Sequence, residues 1–66
     1  MSGITEAEVA AVEEALTTGY VKMASWTEMA RMAIEAYLAV VGAEGREIGP
    51  DRARRMLQSA GYLKDE

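Results

Sequence analysis

Ala36-Tyr37-Leu38-Ala39-Val40-Val41 is the stretch that most limits this chain, because it continues a helical repeat yet is apolar on every side. A helix that is apolar all round has to be buried, and a chain of 66 residues has little to bury it with. A domain of this size hides only about 60% of the surface its unfolded chain exposes. Below roughly 70–80 residues one core rarely supplies more than about 3–5 kcal/mol, so small domains lean on a disulfide, a metal or a partner chain. There is no Cys and no His. A disulfide and the usual zinc site are therefore excluded, which leaves well-packed helices or a second chain.

The punctuation of the chain predicts three helices, near 5–18, 25–42 and 50–60. Thr5-Glu6-Ala7-Glu8 fits a capping box, with Ile4 and Val9 placed for a hydrophobic staple. Val9, Val12 and Leu16 mark the apolar face of the first helix, and Gly19 is placed to end it. Tyr20 to Ala24 reads as a loop. Ser25-Trp26-Thr27-Glu28 repeats the capping-box pattern. Apolar residues then recur at Trp26, Met29, Ala30, Ala33, Ile34, Tyr37, Leu38 and Val41, the spacing of one helical face. Met32, Ala36, Ala39 and Val40 form a second stripe, and the polar strip of Thr27, Glu28, Arg31 and Glu35 stops short of Ala36. Gly42 is read as the stop. After a polar turn anchored by Ile48, Pro50 takes the favoured first position of a third helix. That helix shows Ala53, Met56, Leu57 and Ala60 on one face and ends at Gly61, with Tyr62 and Leu63 placed to fold back and Lys64-Asp65-Glu66 to fray. The expected fold is all-α: one small domain over residues 1–66 with a hydrophobic second helix as its spine.

Composition supports the helices. Twelve Ala and five Met favour helix, and there is no Phe. No stretch without charge exceeds eight residues, Ala36 to Ala43 being one that reaches it, far short of a membrane span. Met1-Ser2-Gly3 runs straight into acidic residues, which argues against a signal peptide, and with no Cys the expected location is reducing and cytoplasmic. The net charge of −4 is unevenly spread. Glu6, Glu8, Glu13 and Glu14 crowd the first helix without a base, while Arg52, Arg54 and Arg55 crowd the third. An acidic chain disfavours nucleic acid, whose binding rests on phosphate contacts.

Chemistry-bearing patterns are scarce. Without His or Cys the commonest general base and all thiol chemistry are gone. Glu13 and Glu14 are adjacent and point about 100° apart on a helix. Glu28, Arg31 and Glu35 have the spacing of ordinary surface pairing. Gly42, Gly45 and Gly49 lack the spacing of a nucleotide loop, and no calcium loop can be written. The sequence nominates no catalytic, cofactor or metal residue and reads as a non-enzyme. Two sets of binding residues remain. Met29, Met32, Ala36, Tyr37, Ala39 and Val40 are expected to join two copies about helix 2. Trp26, Arg52, Arg54 and Arg55 are expected to face a partner, since Trp and Arg are enriched at binding hot spots and cations near a helix N-terminus oppose its dipole. The acidic first helix of one copy opposite Arg52 and Arg55 of the other would set the orientation.

Residues 4–39 resemble small helical proteins of bacteriophages and prophages, in which a helix opened by Thr-Glu precedes a Trp and an Ala-rich helix such as Met-Ala-Arg-Met-Ala-Ile-Glu-Ala here. That resemblance implies a small protein that binds and modulates a host protein. Over fourteen positions, Ser25 to Leu38 is also similar to the second helix of ribbon-helix-helix regulators and antitoxins. That resemblance implies a DNA-binding dimer whose reading strand would fall on Tyr20–Ala24, with Tyr20, Lys22 and Ala24 facing the groove. The expectation carried forward is an acidic protein-interaction module, a homodimer that engages a host protein, with the DNA-binding regulator as the alternative.

Overall fold

The structure, a computed structural model, describes residues 4–64. It contains α1 (Glu6–Val21), α2 (Trp26–Ala43) and α3 (Pro50–Ser59), and no strand among the described residues. The chain is a small all-α domain. Both α1 and α3 pack on α2, which is the spine. The expectations for Met1–Gly3 and for fraying at Asp65 and Glu66 lie outside the described residues.

The starts of the helices form as their cap residues dictate. Thr5 Oγ1 accepts from the Glu8 N–H at 3.3 Å, and the Thr5 N–H donates to Glu8 Oε1 at 3.0 Å, a complete capping box. At α2 only half of the expected box forms. Ser25 Oγ accepts from the Glu28 N–H. Glu28 itself turns outward, and both its carboxylate oxygens lie 3.1 Å from Arg31 Nη2. The exposed guanidinium one turn along competes better than the backbone donor.

The ends correct two glycine readings. α1 does not stop before Gly19. It runs to Val21, and Gly19 is a buried helical residue facing α2. A Cβ built there would sit 2.7 Å from Met29 Cγ, so Gly19 is where two helices come too close for a side chain. The turn after α1 is instead made by Met23, at φ 58°, with the Ala24 N–H donating to Gly19 O and the Met23 N–H to Tyr20 O. This is a Schellman closure with Met in the position that glycine usually takes. Likewise α2 passes through Gly42 and closes on Gly45, at φ 82°, through bonds from Arg46 to Val41 O and from Gly45 to Gly42 O. α3 begins at Pro50 and closes on Gly61 as read.

Val12, Ala30, Ala33, Ile34, Tyr37, Val41, Ala53, Leu57 and Leu63 make the core, with Ile4, Leu16, Leu38, Ile48, Met56 and Tyr62 packed around it. Tyr62 and Leu63 do fold back. The all-apolar run is only partly covered: Tyr37 and Val41 are buried, Ala36, Leu38 and Val40 are half-buried, and Ala39 is exposed.

Two substitutions follow with opposite signs. Met23→Gly should raise stability by about 1 kcal/mol, because it removes a Cβ from a left-handed residue. Gly19→Ala should lower it by about 1 kcal/mol, overpacking against Met29 outweighing the gain in helix propensity. Urea titration followed by circular dichroism reads both.

Candidate interaction surfaces

The most enclosed polar cluster is a tie within the chain and not an open site. Glu8 is fully buried. Its Oε2 lies 2.8 Å from Arg46 Nη1, and the same guanidinium nitrogen lies 3.3 Å from Glu44 Oε1. The pair joins the start of α1 to the loop after α2. Beside it Tyr37 is also fully buried, its hydroxyl donating to Met56 Sδ at 3.3 Å. Burial raises the Tyr37 phenol above its ordinary value, and the negative charge of Glu8 adds to the shift against an opposing effect of Arg46. No buried side-chain nitrogen or oxygen among the described residues lacks a partner. The sequence places Glu8 in the cap and the acidic face of the first helix, and nothing local announces a partner thirty-eight positions away.

The residues expected to join two copies divide. Met32, Ala36, Ala39 and Val40 line one shallow open groove together with Ala11, Glu14, Ala15, Thr18 and Glu35. The groove lies between α1 and α2, and its floor is of small and flexible apolar side chains. Met29 is half-buried against Gly19. Tyr37 is corrected: it is fully buried within the single chain and has no surface to offer. Its spacing on helix 2 matched the core face equally well. Ala11 and Ala15 also line the groove; the sequence signal for them is a four-residue spacing that puts two small side chains on one face of α1.

The partner-facing set divides too. Trp26 and Arg54 line a cleft with Thr27, Ala30, Gln58, Leu63 and Lys64, while Arg52 and Arg55 flank a separate depression with Asp51, Met56 and Ser59. Asp51 does not pair with Arg54 or Arg55. The ion pairs among the described residues are Glu28–Arg31, Glu8–Arg46 and Glu44–Arg46. At the end of α1, Tyr20, Val21 and Met23 are 78%, 73% and 90% exposed, large apolar side chains close together in a segment where the sequence predicts plain loop. Tyr20 and Val21 belong to α1 and Lys22–Met23 to a turn, so the strand that the ribbon-helix-helix resemblance requires over Tyr20–Ala24 is not present in the chain.

Among the described residues no group of His, Cys, Asp or Glu could hold a metal ion, and no helix is long and apolar enough to cross a membrane. No family model, curated protein or solved structure matches the chain.

The buried cluster makes two predictions. Tyr37 stays protonated to higher pH when folded than when unfolded. Its contribution is complete below the unfolded value of 10.0 and is lost as pH rises through the folded value. Stability should therefore fall as pH rises past 10.0 and level off above the folded value, and Tyr37→Phe should flatten this alkaline limb in chemical denaturation. Arg46→Met leaves the Glu8 carboxylate buried without a cation and should cost about 2 kcal/mol, below the range for a fully enclosed pair because Arg46 reaches solvent.

Proposed function

We propose that this chain works by binding protein and not by catalysis, as a homodimer joined across the α1/α2 groove. The observation that carries the reading is that four residues expected to join two copies, Met32, Ala36, Ala39 and Val40, lie side by side in one open groove. Small residues on both walls, Ala11 and Ala15 four apart on α1 and Ala36 and Ala39 three apart on α2, leave room for a second helix to approach closely. A two-fold contact is the commonest way for a soluble chain to cover such a face, and each buried Val or Met is worth about 1.5–3 kcal/mol, large beside the stability of a domain this small. Dimerisation leaves Trp26 and the arginines of α3 free for a second protein. The resemblance of residues 4–39 to small phage proteins supports a host protein in that role.

The groove predicts its own salt dependence. Its charged residues, Glu14 and Glu35, are both acidic, so a two-fold contact gathers four carboxylates at one interface. Added salt screens that repulsion and should tighten the dimer, the opposite of what a contact between acidic α1 and basic α3 would do. Light scattering across protein and salt concentration reads the difference. Ala39→Glu, at a side chain exposed in the monomer, should keep the helical spectrum and weaken association by at least about tenfold, since facing like charges cost several kcal/mol. A stable monomer at tens of micromolar in every salt condition rejects the dimer. Tight, salt-sensitive DNA binding in a gel shift would instead favour the regulator reading.

A further inference from the structure

We infer that the cleft between the start of α2 and the end of α3 is a binding site for an acidic peptide segment of a partner protein, with Arg54 and Lys64 as its cationic contacts and Trp26 as its apolar wall. This rests on the reading of the chain as a protein-binding module and not on dimerisation.

The floor of the cleft is apolar, made by Ala30 and Leu63, each 5% exposed. Trp26 stands at its edge, just over a third exposed, and Lys64 Nζ lies 5.5 Å from the centre of the indole ring. The position of Lys64 is built. Leu63 is buried beside it, and Gln58 Nε2 donates to Lys64 O at 3.0 Å, which ties the backbone to α3. Arg54 approaches from α3. Among the described residues neither cation has a carboxylate within salt-bridge distance and no acidic residue lines the cleft. In a chain with eleven acidic and seven basic residues this is a local inversion of charge. Trp26 and Thr27 are also the first two residues of α2, so the positive end of an 18-residue helix stands at the same edge.

Two cations, an indole and an apolar floor together suit a segment that alternates carboxylates with aliphatic side chains. A carboxylate from such a segment meets Arg54 and Lys64 through charge-assisted hydrogen bonds. Its aliphatic neighbour takes the place over Leu63 and Ala30 and against the ring. A bare phosphate backbone would use the cations but leave the apolar floor empty, and the net charge of −4 works against a polyanion.

Trp26 is the only tryptophan of the chain, so its emission reports the cleft directly. The probe is the capped peptide Glu-Leu-Glu-Glu-Leu-Glu, titrated into the full chain. The expected result is a saturable change in Trp26 emission, weakened about tenfold by Arg54→Gln and by Lys64→Gln, each of which removes one charged contact from an exposed position. The Gln-Leu-Gln-Gln-Leu-Gln peptide should give no saturable change. Circular dichroism confirms that both variants keep their helices. Equal binding of the two peptides, indifference to both variants, no saturable change, or a stronger response to a single-stranded oligonucleotide would each overturn the proposal. Asp65 and Glu66 follow Lys64 in the sequence, so the titration is repeated with Asp65→Asn/Glu66→Gln. Peptide binding that appears only in that variant assigns the cleft to the chain's own acidic end and also overturns it. Ala39→Glu should bind the peptide unchanged. Failure of the dimer and failure of the cleft are thus separate results.

Discussion

The burial of one carboxylate organises this domain. Glu8 caps α1 through the Thr5 N–H and, with its other oxygen, holds Arg46 at 2.8 Å. An ionised carboxylate taken out of water is costly unless its lone pairs are met by donors. Here both oxygens are met, one from the helix's own cap and one from a loop far along the chain. The consequence is topological. The loop after α2 has to return to the start of α1, which sets where Pro50 begins α3 and where Ile48 packs on the core. Tyr37 lies beside the pair and completes the seal. An apolar group in place of Glu8 would bury as well, but it would not tell Arg46 where to lie. In a core made mainly of Ala, Val and Leu, such a directional contact supplies orientation that interchangeable apolar contacts do not.

The helix boundaries show what local chemistry can and cannot announce. Thr5, Ser25 and Pro50 start helices where their side chains satisfy or remove free N–H groups, and these starts are legible because the partners lie within one turn. Gly61 ends α3 for an equally local reason. Gly19 and Gly42 misled because glycine has two uses. At Gly19 the missing side chain serves an approach to Met29 on another helix, which nothing in the neighbouring residues foretells. Meanwhile Met23 adopts the left-handed turn because α1 must stop there for α2 to lie back along it. Tertiary demand outweighs a local preference worth about 1–2 kcal/mol. The same limit explains Tyr37. The periodicity of α2 places apolar residues on several faces without saying which face looks at α1, which at α3 and which at solvent.

The surfaces were legible in composition more than in position. The excess of apolar residues on helix 2 is real in the fold, where Ala36, Ala39 and Val40 keep contact with solvent. The surplus of arginine on α3 is real as well, and those side chains stay unpaired among the described residues. What sequence could not supply is the grouping. Arg54 belongs with Trp26 and Lys64 because the chain folds back through Leu63. Arg52 and Arg55 belong elsewhere because neighbours on a helix point to different sides.

Association and stability are coupled in a domain of this size. A partner that binds only the folded chain stabilises it by mass action, and a net stability of a few kcal/mol makes that contribution comparable to the whole core. The core here is nearly saturated in the direction of α3, where Ala53 and Leu57 are fully buried, and unfinished in the groove beside α1. Enlarging Ala11, Ala15 or Ala39 would cover more of that groove within one chain, yet would close the face to any second helix. The alanines therefore keep the groove open. On that argument the small residues of α1 and α2 are a single feature: they set how closely another helix could approach, and how much the fold would gain if one did.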